Sequence, residues 1–385
     1  MAVDQDRMRR RLEMLLGIPA TQGNAVEVLR NGEQIFPAML EAIRTAEHTV
    51  DLLTYVYWQG WPAEAFAKAL AERAAAGRRV RVLIDAVGGA RMSPALRADM
   101  TSAGADVRLF RPPWLRSPFT HNHRTHRKVL VVDGEQAFTG GVGIASEWEG
   151  AARDPSQWRD TQIRLRGPAV AGLYAAFVQN WSETGGSLDD PRDRYPQLTS
   201  GGAEVVQVVR GTATLGWDDI QTAWFALLTA AQERITLQSA YFAPDDAFLD
   251  LLRDAAARGV RVQVLLPGPH YDKSVSRLTS ERYYDALLTA GVEVWRYQPT
   301  MLHTKVLTID DCVAMIGSAN ANRRSMDHDE EVVCILIGGR GPQELVGDFE
   351  RDLERAERVE LARWRDRDLR QRLGEQAVRP IARFV

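Results

Sequence analysis

Two short segments of this chain carry the same residues at the same spacing. His126-Arg127-Lys128-Val129-Leu130-Val131-Val132-Asp133 and His303-Thr304-Lys305-Val306-Leu307-Thr308-Ile309-Asp310 both read H-x-K-x-x-x-x-D. Both run on, at one offset, to a glycine pair or glycine-serine pair, Gly140-Gly141 and Gly317-Ser318. One imidazole and one ammonium are half of what phosphodiester cleavage requires. The reaction needs a nucleophile, a proton for the leaving oxygen, and positive charge for the non-bridging oxygens. Two copies brought together supply all of it. Neutral imidazole can attack phosphorus and form a covalent intermediate. A second, protonated imidazole can serve the departing alcohol and then act as base for the incoming one. Histidine titrates near neutrality, so both forms are accessible.

The lysines sharpen this reading. The chain has 48 basic residues, yet its lysines are only Lys68, Lys128, Lys273 and Lys305. Two of them stand at the third motif position, where a compact ammonium fits a crowded phosphate site and a planar fork does not. A histidine nucleophile also needs an acceptor for its second ring nitrogen. Asp160, in Trp158-Arg159-Asp160-Thr161, and Glu331, in Asp329-Glu330-Glu331, follow the two motifs at comparable distances, and each can orient one imidazole. Asp133 and Asp310 belong to the motif and are counted with the catalytic set. Their place at the strand ends gives them a structural part, tying the turn and the backbone of the partner half. Neither motif lies near a dense Asp/Glu/His cluster at metal-ligand spacing, so no metal or cofactor is expected.

These residues need a frame that brings the copies together, and the chain offers a duplicated one over 35–165 and 217–337. Each half shows a helical pattern (36–43, 220–228), then a strand (50–57, 235–242). An alanine-rich helix follows in each, ending at a C-capping glycine, Gly77 or Gly259. Two more apolar strands (80–85 and 104–110, 260–266 and 291–297) precede each motif. Such alternation predicts an α/β fold of two α/β/α halves, with mostly parallel sheets flanked by helices and a pseudo-twofold site between them. Residues two apart on a strand face one side, so His126 points with Lys128 and His303 with Lys305. The division expected is a first half over 1–183, a Gly/Ser/Pro/Asp-rich linker over 184–202, and a second half over 203–385.

The bulk numbers leave room for this and exclude little. With 385 residues, 45% of them hydrophobic, the chain can bury a large core. A formal net charge of −3 gives no reason to expect a nucleic-acid partner. Cys312 and Cys334 form no C-x-x-C and read as buried thiols on strands. No apolar run is long enough for a transmembrane helix, and the N-terminal arginines have no apolar stretch of a secretory signal behind them. A cytoplasmic protein, peripheral on the inner face of the cell membrane, is expected.

With both motifs in place, the chain resembles the phospholipase D superfamily, whose mark is the paired HKD motif. Within it the resemblance is to bacterial cardiolipin synthases of the short type lacking N-terminal transmembrane helices. It covers nearly the whole chain, including Asn31-Gly32-Glu33, Trp158-Arg159-Asp160-Thr161, Gly317-Ser318-Ala319-Asn320 and Arg323-Arg324-Ser325. The resemblance implies that His126 and His303 are nucleophile and acid/base, with His126 attacking. It further implies that Lys128 and Lys305 bind phosphate, that Ser318 and Asn320 support it, and that Asp160 and Glu331 orient the histidines. The activity implied converts two phosphatidylglycerol molecules to cardiolipin and glycerol through a phosphatidyl-histidine. The alternatives are a phospholipase D hydrolase releasing phosphatidic acid and a nuclease of the same superfamily.

Two departures from the family pattern stand out. Gly143 stands where an Asn is usual, and Met326-Asp327-His328-Asp329 is more acidic than in relatives. The lipid substrate requires contact with an anionic membrane. Three segments mix apolar or aromatic residues with arginines in the way such contact asks. They are 111–119, the tail around Trp364, and Met8 to Leu16.

Overall fold

In the computed structural model, residues 3–112, 123–196, 199–212 and 219–368 are described. They build one 16-stranded sheet with helices on its faces. The sheet is mixed, which corrects the expectation of mostly parallel strands. Parallel pairing is found at the two wings, where helices supply the crossovers. In the first half Thr49–Thr54 pairs with Arg79–Asp85, and that strand with Asp106–Phe110. In the second, Arg234–Ser239 pairs with Arg261–Pro267, and that strand with Glu293–Tyr297. Toward the middle the pairing is antiparallel throughout, between strands distant in the chain and at one tight hairpin in each half.

The motif strands open those hairpins. Val129–Val132 pairs antiparallel with Gln136–Gly140, and Lys305–Ile309 with Val313–Gly317. Each turn uses left-handed residues, Asp133 and Gly134 at φ 54 and 69, Asp310 and Asp311 at φ 49 and 55. The aspartate side chain repays that conformation. Asp133 accepts from the backbone N–H groups of Glu47, His48 and Thr49 at 2.9, 2.8 and 2.7 Å. Asp310 does the same for Glu233 and Arg234 at 2.8 and 2.9 Å, and for Val3 at 2.9 Å. Both therefore tie the start of a strand in their own half. Asp310 also reaches the N-terminal segment of the first half at Val3, and both aspartates stand at the far end of the motif strand from the histidine, which gives Asp133 and Asp310 a structural part and not a catalytic one.

The two halves meet through strands, not through a hinge. Asp329–Ile337 pairs with Glu204–Gly211, that strand with Thr21–Arg30, and that in turn with Thr161–Arg166. One core cluster draws Val129, Val131 and Ile163 from the first half and Val306, Ile316 and Val332 from the second, under the helix Val170–Glu183. Burying side chains of this kind stabilises by about 1.5–3 kcal/mol each, so the halves are held firmly in register.

Two segments sit differently from their place in the sequence. The helix Gln5–Leu16 packs Met8, Leu12 and Leu16 into the core of the second half, so its apolar face is not free for a membrane. The described parts of 184–202 are docked on the first half. Asp193 lies 2.7 Å from the buried Arg79 guanidinium, where Asp51 also pairs. Trp364, expected at a headgroup boundary, is 6% exposed and packs on Tyr284 with ring centroids 4.9 Å apart. The rest of the basic tail and most of 111–119 lie outside the described residues. Cys334 is buried on a strand, whereas Cys312 sits half-buried in a turn.

Candidate active site

Both histidines line one cavity of about 650 Å³ between the halves. Lys128 and Asn320 line it too, together with Tyr55, Trp58, Trp148, Trp158 and Tyr241. Lys305 is buried just behind, its Nζ 3.1 Å from a ring nitrogen of His303. The two lysines adopt matching poses. Each ammonium donates to the carbonyl of its own motif histidine, at 2.7 Å for Lys128 and 2.5 Å for Lys305.

The orienting carboxylates are crossed between the halves. Glu331 of the second half accepts from Nδ1 of His126, its oxygens at 2.9 and 3.1 Å. Asp160 of the first half holds Nδ1 of His303 at 2.7 Å. The backbone imposes this exchange. The His126 N–H donates to the Glu330 carbonyl at 2.9 Å, and the His303 N–H to the Arg159 carbonyl at 2.7 Å. Each chain run entering a motif thus lies parallel to the segment bearing the other half's carboxylate, Arg124 beside Asp329 and Leu302 beside Arg159.

The support behind the carboxylates is not symmetric. Glu331 accepts from the hydroxyls of Ser318 and Ser325, the latter at 2.7 Å. Ser318 is therefore turned to the carboxylate, not to the cavity. Asp160 instead accepts from the indole N–H of Trp148 at 2.9 Å. Trp148 and Ser325 occupy the same offset from their motif histidines. Two glycines beside Trp148 are closely hemmed in. A Cβ on Gly141 would meet an Asp160 oxygen at 2.4 Å, and one on Gly143 would meet Val56 Cβ at 2.7 Å and the Trp148 ring at 3.0 Å. Gly143 stands at the same offset from His126 as Asn320 from His303, so the Asn320 amide of the second half has no counterpart across the site. Asn320 is 3% exposed and its side-chain oxygen has no partner within the described residues.

Burial sets the protonation states. It lowers His126 to about 4 despite Glu331, with Lys128 adding to the fall. Burial and the neighbouring Lys305 lower His303 to about 3 against the pull of Asp160. The lysines fall as well, Lys128 to about 8 and Lys305 to about 7, by desolvation only partly offset by Glu331 and Asp160. Burial opposes ionisation of Glu331, but His126, Lys128 and Ser318 outweigh it and hold the group at about 2. At neutral pH both imidazoles are bases, and the two lysines stand close to losing a proton, so that an arriving anion favours the ammonium form of both.

Residues beyond the motif complete the walls. Arg124 pairs with the buried Asp85 at 2.9 Å and Arg324 with Asp329 at 3.0 Å, and both arginines line the cavity. Of the acidic run after Ser325, only Asp329 faces the cavity, and burial lifts it to about 7. Trp148 and the wall residues Asp272 and Lys273 were not singled out from sequence. Indole next to a motif looks like ordinary core, and 272–273 lie in a loop with no motif of their own. Among the described residues no group of three His, Cys, Asp or Glu side chains is placed to hold a metal ion.

A duplicated α/β frame that brings one histidine from each half to one cavity, each with its motif lysine beside it, defines a phospholipase D-like enzyme. The family model "Cardiolipin synthase, PLD-like domain" matches residues 39–147 and 225–355, and the chain belongs to that family. It is 34% identical to a cardiolipin synthase of Geobacillus kaustophilus over 94% of this chain and 73% of that protein. With cardiolipin synthase 1 of Bacillus anthracis it shares 31% identity over 95% of this chain and 74% of the relative. Among solved structures, phosphatidylserine synthase of Haemophilus influenzae matches with a TM-score of 0.72 at 14% identity, covering 98% of this chain and 97% of that one. That likeness is one of fold. The protein is an enzyme of the phosphatidyltransferase type.

Proposed function

We propose that this enzyme joins two phosphatidylglycerol molecules into cardiolipin, releasing glycerol, through a phosphatidyl group carried on His126. The observation that supports the reading most is the crossed pair of carboxylates, which holds both imidazoles by Nδ1 with both rings on one cavity. In the first step Nε2 of His126 attacks phosphorus. The bond from phosphorus to the glycerol oxygen breaks, and that oxygen takes a proton from His303. In the second step the terminal hydroxyl of the acceptor gives its proton to His303. Its oxygen attacks phosphorus, and the phosphorus–nitrogen bond breaks to restore His126.

Lys128, Lys305 and the Asn320 amide hold the non-bridging oxygens, while Ser318 and Ser325 act through Glu331. His126 is assigned as nucleophile because Glu331, with two hydroxyls behind it, is the better anchored counter-charge for the cation that forms on attack. His303, the more deeply buried, takes its proton once a bound phosphodiester anion offsets the two ammoniums around it. The lipid is met at an anionic bilayer surface, at the inner face of the cell membrane. No helix among the described residues is long and apolar enough to cross a membrane, which fits peripheral contact.

Purified protein incubated with phosphatidylglycerol vesicles tests this, with products identified by mass spectrometry and His126→Ala as control. Cardiolipin with glycerol, absent from the variant, is the expected result. Phosphatidic acid alone would make the protein a hydrolase, and cleavage of added oligonucleotide alone would make it a nuclease.

A further inference from the structure

We propose that Lys273 binds the phosphate of the acceptor lipid, forming a second anion subsite on the wall of the catalytic cavity. The inference rests on the phosphatidyl-transfer reading above and names how the acceptor is held. When an acceptor phosphatidylglycerol attacks the phosphatidyl-histidine, its own phosphodiester stands only a three-carbon bridge from the phosphorus under attack. Two anionic groups then share one cavity. Lys128 and Lys305 are committed to the first, so the second needs its own cation.

The cavity wall offers four further cations. Arg124 is bound to Asp85 at 2.9 Å and Arg324 to Asp329 at 3.0 Å. Arg91 lies over the Trp58 ring at 4.2 Å, with Glu147 3.8 Å away. Lys273 forms no ion pair among the described residues. Its neighbour Asp272 is engaged by the Tyr241 hydroxyl at 2.7 Å. Val275 and Ser276, from the helix Ser274–Glu281 that follows Lys273, line the same wall, and no side chain caps that helix.

Lysine usage points the same way. Of the chain's 48 basic residues only four are lysines, and three of those gather here. Lys128 and Lys273 line the cavity and Lys305 sits against His303. The fourth, Lys68, lies on the helix Trp61–Ala75 and, unlike the equally exposed Lys273, does not line the cavity. A chain that uses arginine almost everywhere else keeps lysine where a flexible stem must bring a compact charge to a phosphate.

The test uses phosphatidylglycerol vesicles with ethanol added as an acceptor that has no phosphate. The readout is the ratio of cardiolipin to phosphatidylethanol. In Lys273→Ala the ratio falls by about 10- to 100-fold, the size of one charge-assisted contact. Lys273→Arg recovers most of it, and Lys68→Ala leaves it where the unaltered protein has it. An unchanged ratio in Lys273→Ala overturns the subsite, as does an equal fall of both products, which would place Lys273 on the donor. If the unaltered enzyme makes phosphatidylethanol but never cardiolipin, the acceptor reading itself has failed and the subsite falls with it. Cardiolipin made normally by both proteins defeats the subsite alone.

Discussion

Each imidazole is held by a carboxylate, and each carboxylate by a residue at one position of the repeat. In the second half that residue is Ser325, in the first Trp148. Trp148 also sets the edge of its ring against His303, with centroids 5.1 Å apart. Trp148→Phe keeps the aromatic contact and removes the hydrogen bond to an ionised group, a loss of roughly 1.5–3 kcal/mol in a buried site. We expect kcat to fall about tenfold or more with KM little changed, measured by steady-state cardiolipin formation. The lysines give a pH signature. Because burial brings Lys305 to about 7 and Lys128 to about 8, the positive charge proposed to hold phosphate is full at lower pH and lost as pH rises through those values. The account predicts that kcat/KM declines on the alkaline side from near neutrality, and that binding a phosphodiester there takes up protons. A profile flat to pH 10 would contradict it.

At the scale of elements, the hairpin after each motif strand is pinned by an aspartate in a left-handed turn. Asp133→Ala removes three accepted N–H bonds at 47–49, and we expect a loss of about 2–3 kcal/mol in urea unfolding with kcat per folded molecule retained. A matching fall in kcat would return Asp133 to the reaction. Much of this level was legible in the sequence. The motif residues alternate as a strand must, the glycine caps mark the helix ends, and the duplication shows which segments correspond. What stayed hidden depends on contacts between distant segments. His126 and Glu331 are 205 residues apart, and His303 and Asp160 are 143 apart, so spacing could name the carboxylates without pairing them. The antiparallel centre was missed because buried parallel and hairpin strands are equally apolar here, and only turn length separates them. The resemblance implies phosphate support from Ser318, yet its hydroxyl faces Glu331.

For the whole molecule, the crossing makes neither half a catalyst on its own. Each would carry a histidine whose orienting carboxylate lies in the other, and the shared core under Val170–Glu183 would be cut in two. The continuous 16-stranded sheet is what holds both motifs on one cavity. The most direct measurement is a crystal structure with tungstate or vanadate, anions that take the five-coordinate geometry of phosphoryl transfer. The account predicts one anion between the halves, with Nε2 of His126 bonded to the metal and Nε2 of His303, Lys128 and Lys305 within about 3 Å of its oxygens. Two separate anions, one on each motif, would contradict it, as would a single anion touching one histidine only.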